Sequence, residues 1–186
     1  MDKKQMQHIK SRFFALRNGV IADRLRKSGS PYKIIFGLML PQMEQIAGEC
    51  VPSKELAEML WNNRSTRESR LLAAMVYPRE EFTAKKAEEW ISDADTVELV
   101  DLLCFRLVRY IPEAEMLAKA YFCRGDASNR YVALRLSMNL LVLRTLSDID
   151  EAYRMAQEEL AANRGETIGV CRQIIDEIDW LRESGN

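Results

Sequence analysis

The chain has 186 residues, of which 47% are hydrophobic and 30% charged, and its net charge is −1. That composition describes an ordinary soluble globular protein, long enough for one domain with a sizeable core or for a short array of repeats. No apolar run approaches the length of a membrane span, and the polar, charged stretch Met1 to Lys10 does not read as a secretory leader.

Taken in order, Gln5 to Lys27 reads as one long helix with Ile9, Phe13, Leu16, Val20 and Leu25 near one face. Ser28-Gly29-Ser30-Pro31 stops it, and residues 32–37 form a short irregular or extended link. Pro41 starts a helix through Gly48, and Pro52-Ser53 opens another from Lys54 to Trp61. Ser65 with Glu68 forms a capping-box signature for a helix reaching Tyr77. Thr83 caps a helix to Ile91, and a further helix runs to Tyr110. Pro112 then opens one to Phe122, with Arg124-Gly125-Asp126 as its exit turn. A long helix from about Arg130 to Leu146 follows. Asp148 with Glu151 opens a helix to Asn163, and Gly165 separates it from a last helix, Ile168 to Leu181. No segment reads as a strand, so the expected class is all-α.

These helices arrive in pairs joined by short turns, and the pair-opening signals fall at Ser53, Thr83, Pro112 and Asp148. Spacings of about thirty residues between helix pairs are the mark of an α-α superhelix, a HEAT- or armadillo-like solenoid. The expected organisation is a single helical-repeat domain over residues 1–186. A non-repetitive bundle is the alternative.

The helix leading to Tyr110 is apolar almost all the way round. Asp95 and Glu98 supply its start signal, and Val97, Val100, Cys104, Leu107 and Val108 form one stripe. Asp101 projects about 40° from Val97, on the edge of that stripe. Its neighbours four residues away on either side are Val97 and Phe105, neither of which pairs with a carboxylate. A half-buried carboxylate there needs a partner on another helix or a ligand. Arg135 has the same offset from Tyr131 on its own helix, so the two are expected to meet on one inner face. They form either a structural ion pair or a pair lining a groove.

Cys50, Cys104, Cys123 and Cys171 are widely spaced and suit small hydrophobes in a reducing cytoplasm better than disulfides or metal ligands. His8 is the only histidine, so a histidine-based zinc centre or a Ser-His-Asp triad built elsewhere has no candidate. No phosphate loop, dinucleotide glycine pattern or nucleophile elbow is present, and neither a metal nor a cofactor is expected. Charge is uneven. Residues 1–33 hold nine Lys and Arg against Asp2 and Asp23, a local net charge of +7, which leaves −8 for the remainder. Such an asymmetry aims a polyanion at one edge, or simply solvates a helix face.

Three stretches together resemble the bacterial DNA alkylation repair glycosylases built of HEAT-like repeats. They are residues 36–47, with Gly37 and Pro41; Leu60-Trp61-Asn62-Asn63 followed by Glu68-Ser69-Arg70-Leu71-Leu72-Ala73-Ala74; and Val97-Glu98-Leu99-Val100-Asp101. The resemblance implies excision of cationic N3- or N7-alkylated purines from duplex DNA. It makes Asp101 the catalytic carboxylate. The residues themselves offer the DNA-binding candidates: Arg135 by its place beside Asp101 on the expected inner face, Arg24, Arg26 and Lys27 in the basic first helix, and Arg67 and Arg70 beside Glu68. The cysteine usage and the lack of a long apolar run lead to the expectation of a cytoplasmic protein with no membrane contact. Val97 stands where that family has a tryptophan, Leu134 where it has an arginine, and Ile174 near its late aromatic. The alternative function is a non-catalytic helical-repeat scaffold that binds DNA or a protein partner.

Overall fold

The computed structural model describes residues 2–162 and 165–185. Among them are eleven α-helices, no strand, and one isolated bridge between Ile34 and Thr66. No helix among these residues is long and apolar enough to cross a membrane. The chain divides into two compact units, one of Met1–Phe82 with Asp93–Leu102 and one of Thr83–Ser92 with Leu103–Asn186.

The first unit holds α1 (Asp2–Ala15), α2 (Gly19–Lys27), α3 (Leu40–Gly48), α4 (Lys54–Trp61), α5 (Arg67–Val76) and the start of α7 (Val97–Arg106). Ile9 and Phe13 of α1, Met43 and Ile46 of α3, Leu56 and Leu60 of α4 and Leu72 of α5 are fully buried. The long helix expected over Gln5 to Lys27 is two helices. Asn18 is extended, at φ −127° and ψ 102°, and its side chain accepts from the Ile21 N–H at 3.2 Å. Its own N–H donates to the Phe36 carbonyl at 2.8 Å. An asparagine that bonds its own backbone, followed by Gly19, competes with continuing the helix, and apolar periodicity does not register that competition.

The link at residues 34–39 lies against this break. Gly37 has φ +75°, and a Cβ there would stand 2.2 Å from the Asn18 carbonyl oxygen and 2.7 Å from the Ala22 nitrogen. Only glycine permits both that conformation and that approach. Ser53 caps α4 as expected, accepting from Leu56 N–H at 3.0 Å.

The second unit holds most of α6 (Ala84–Asp93), the end of α7, a 3-10 turn at Val108–Tyr110, α8 (Ala114–Arg124), α9 (Ala127–Val142), α10 (Ile149–Ala161) and α11 (Ile168–Glu183). The helix expected to reach Tyr110 stops at Arg106. Leu107 leaves helical geometry, and Leu107 and Val108 turn inward, 1% and 0% exposed. Gly125 ends α8 in the left-handed region, and Asp126 caps α9 by accepting from Asn129 N–H at 3.0 Å. Val132, Leu134 and Leu140 of α9 are buried, as are Ile174 and Ile178 of α11. The expected end of the preceding helix at Asn163 lies outside the described residues. Cys50, Cys104 and Cys171 are buried and Cys123 is exposed; burial pushes the Cys171 thiol up to about 11.

The start of α10 is tied to α8 by a carboxylate. Glu115 accepts from the Ser147 N–H and hydroxyl, both at 2.8 Å, while Asp148 caps α10 through the Glu151 N–H at 3.0 Å. Glu151 does not return the capping bond, and instead accepts from Arg154 at 2.7 Å. Partial desolvation would raise the Glu115 carboxyl, but the bonds from Ser147 and Lys119 outweigh it and hold the group below its ordinary value. A lowered folded pKa stabilises the fold above the unfolded value, and that contribution is lost as pH falls through the folded one. Urea denaturation midpoints are therefore predicted to fall as pH drops below about 4.3, the ordinary glutamate value, and to fall less steeply in Glu115→Gln. Equal slopes would contradict this.

Candidate nucleic-acid interface

Asp101 lies on α7 within the first unit, half-buried and engaged in the fold. Val97, one turn earlier, is 52% exposed. Asp95 does not cap this helix. Thr96 does, its hydroxyl accepting from Leu99 N–H at 3.3 Å. Arg135 belongs to α9 of the second unit, where its Nη2 donates to the Tyr131 hydroxyl at 3.0 Å and its Nη1 to Gln173 at 3.5 Å. Leu134 and Ile174, the two positions at which the resemblance calls for an arginine and an aromatic, are both 0% exposed.

Arg67 and Arg70, expected on phosphates, are 6% and 1% exposed. The Arg67 guanidinium donates from Nε to Glu98 at 2.8 Å, from Nη2 to the same carboxylate, and from Nη1 to Glu68 at 2.8 Å and the Leu38 carbonyl at 3.2 Å. Arg70 donates from Nη2 to Asp93 Oδ2 at 2.8 Å and from Nη1 to Asp95 at 3.2 Å, with its guanidinium carbon 4.2 Å from the Trp61 ring centroid. Trp61 Nε1 donates to Asp93 at 2.9 Å, and the Tyr32 hydroxyl donates to Asp95 at 2.6 Å. Burial and the neighbouring carboxylate together push the Tyr32 phenol well up. Guanidiniums enclosed in this way among carboxylates of the fold are not presented to a phosphate. Their place in the expected set is corrected: Arg67 ties α5 to Glu98 of α7, and Arg70 ties α5 to Asp93 and to Asp95, which precede α7.

Glu68 is the centre of this network. The capping box expected with Ser65 does not form, because Ser65 donates to Asn63 instead and Thr66 precedes the helix. Glu68 is 0% exposed and accepts from the N–H groups of Phe36, Gly37 and Leu38 at 3.0, 2.9 and 3.3 Å. Three amides and one guanidinium thus surround a single carboxylate. Its three-residue offset from Ser65 suggested a local cap, and no periodicity shows a partner thirty residues away.

Among the expected cations, those on α2 are the most open to solvent. Arg24, Arg26 and Lys27 are exposed. Arg26 is partly held, donating to Asp23 at 2.8 Å and to the Ile35 carbonyl at 3.3 Å. Lys3, Lys4, Lys10, Arg17 and Lys33 are exposed in the same unit, and no ion pair holds them, Arg24 or Lys27 among the described residues. These five further cations were legible only as local charge. Among the described residues no three His, Cys, Asp or Glu side chains gather where a metal ion could be held.

Removing the Glu68 carboxylate leaves a buried guanidinium short of a partner and three amides unsatisfied. Breaking a buried pair in this way costs about 3–5 kcal/mol, and Glu68→Ala is predicted to lose that much in urea denaturation. A loss below about 1 kcal/mol, within the range of ordinary surface changes, would show that the cradle is dispensable.

A sequence profile of the family described as DNA alkylation repair enzyme matches residues 9–168. No curated protein matches. One solved structure is described as coming from a new family of proteins related to the HEAT-like repeat DNA glycosylases with affinity for branched DNA structures. It superimposes with a TM-score of 0.78 at 17% identity, over 98% of this chain and 79% of that one. At that identity the likeness establishes the fold, an all-α HEAT-like repeat architecture. The profile spans most of the sequence and runs through both units, so the chain belongs to the DNA alkylation repair enzyme family.

Proposed function

We propose that this chain, acting as one helical-repeat domain in the cytoplasm, binds duplex DNA carrying cationic N3- or N7-alkylpurines and assists loss of the damaged base through Asp101. The observation that carries the binding half is the set of exposed, unpaired cations on α1 and α2, which suits a phosphate backbone. Arg24, Arg26 and Lys27 are the proposed contacts on α2. Arg135 is the proposed contact of the second unit.

The chemistry asks little of the protein. An alkylated purine already carries positive charge, so cleavage of the C1′–N9 bond sends its electron pair to a base that leaves neutral. No strong acid is needed. The sugar left behind develops oxocarbenium charge, and a carboxylate near C1′ stabilises it and orients the water that adds there. Asp101 is the carboxylate for that role, and the water's proton passes to it or to solvent.

A second reading is a protein that grips DNA, or another protein, without excising anything. Val97, Leu134 and Ile174 favour it, because they leave neither a stacking ring nor a cation at three positions where the resemblance calls for them. The description of the similar structure, whose family has affinity for branched DNA structures, favours it too.

The deciding assay is release of 3-methyladenine and 7-methylguanine from methylated duplex DNA by wild type and by Asp101→Asn. The proposal expects release that falls about 100-fold or more in the variant, the scale seen on removing one stabilising group. Release unaffected by the substitution would remove Asp101 from the chemistry. DNA binding with no release by wild type would leave the scaffold reading.

A further inference from the structure

Arginines stacked on aromatic rings recur in this fold, and most are also tied to carboxylates. Arg70 over Trp61 pairs with Asp93, Arg124 over Tyr121 pairs with Glu88, and Arg130 over Phe122 pairs with Glu158 and Glu159. Arg109 is different. Its guanidinium carbon lies 3.9 Å from the Phe105 ring centroid and 4.8 Å from that of Tyr110, and its Nη2 donates to the Tyr110 hydroxyl at 2.7 Å. No carboxylate pairs with it among the described residues. Arg106 brings a second guanidinium to 5.4 Å from Phe105.

The rings themselves are unusually open, with Phe105 40% and Tyr110 41% exposed. They are also firmly held. The chain between them carries Leu107 and Val108, 1% and 0% exposed, so the bend after α7 is anchored in the core of the second unit. Two rings bridged by the Arg109 guanidinium, which no carboxylate pairs among the described residues, therefore stand at the surface. An aromatic face with a cation beside it suits a flat π-system attached to an anion, which is the chemistry of a nucleotide. In duplex DNA the base faces are covered by their neighbours, so only an unpaired base offers a face to such a platform.

We infer that Phe105, Arg109 and Tyr110 form a stacking platform for an unpaired nucleobase of DNA, with Arg109 facing its phosphate. This rests on the reading that the chain binds DNA, and it adds a preference for gapped or frayed strands over continuous duplex.

The test compares fluorescence anisotropy of two fluorescein-labelled probes, a continuous duplex and the same duplex with a short single-stranded gap, using the full chain. Phe105→Leu and Arg109→Gln should each weaken binding to the gapped probe by about 5- to 150-fold, the range for loss of one base–aromatic stack. Binding to continuous duplex should change less than about twofold, the platform having no base face to engage there. Phe105→Tyr, which keeps the ring, should retain the gap preference. Equal losses on both probes, or none on either, would overturn the platform while leaving DNA binding intact. Wild type that binds neither probe would overturn both the platform and the reading beneath it.

Discussion

A carboxylate that is wholly buried must be surrounded by donors, and in the first unit that requirement fixes several segments at once. Glu68 draws the backbone N–H groups of residues 36–38 onto the start of α5, and Arg67 links the same carboxylate to Glu98 on α7. Because Phe36 also accepts from Asn18, and Gly37 lies against Asn18 and Ala22, the same cradle seats the break between α1 and α2. Desolvating a carboxylate costs far more than one hydrogen bond returns, so such a group is tolerated only with its full set of donors. The exposed cations of α1 and α2 are thus carried on helices whose junction depends on a charge well away from solvent.

Most helix starts were legible in the sequence, because local signals set them. Ser53, Thr83 and Asp148 cap where their spacing says, and Gly125 ends α8 in the conformation that favours glycine. The expectations that failed involve partners distant in sequence. Asn18 breaks a helix that apolar periodicity carries through, and it is held there by Phe36. Asp95 and Glu68 both sit at cap-like positions, yet they receive Tyr32 and Arg70 in one case and three backbone amides in the other. A cap signature fixes the residue type and not the donor it finds.

The candidate site divides along the same line. Arg67 and Arg70 look like surface cations beside Glu68 in the sequence, but apart from the Arg67–Glu68 pair their carboxylate partners lie 23 to 31 residues on, at Asp93, Asp95 and Glu98. Arg24 and Lys27 have no such partners and remain at the surface. The sequence motif ending in Asp101 supplies a half-buried carboxylate, and the exposed Val97 one turn earlier supplies no ring. Within this repair family fold, the first unit therefore separates charge used for cohesion from charge available to a polyanion.

That separation is tested most directly by the salt dependence of binding to duplex DNA. If exposed cations of α2 neutralise phosphates, the logarithm of the association constant should fall linearly with the logarithm of salt concentration. Its slope should be about −0.9 for each phosphate contacted, and Arg24→Gln combined with Lys27→Gln should reduce its steepness by about 2. A slope unchanged by the double substitution, or no measurable binding at low salt, would contradict the assignment of this face to DNA.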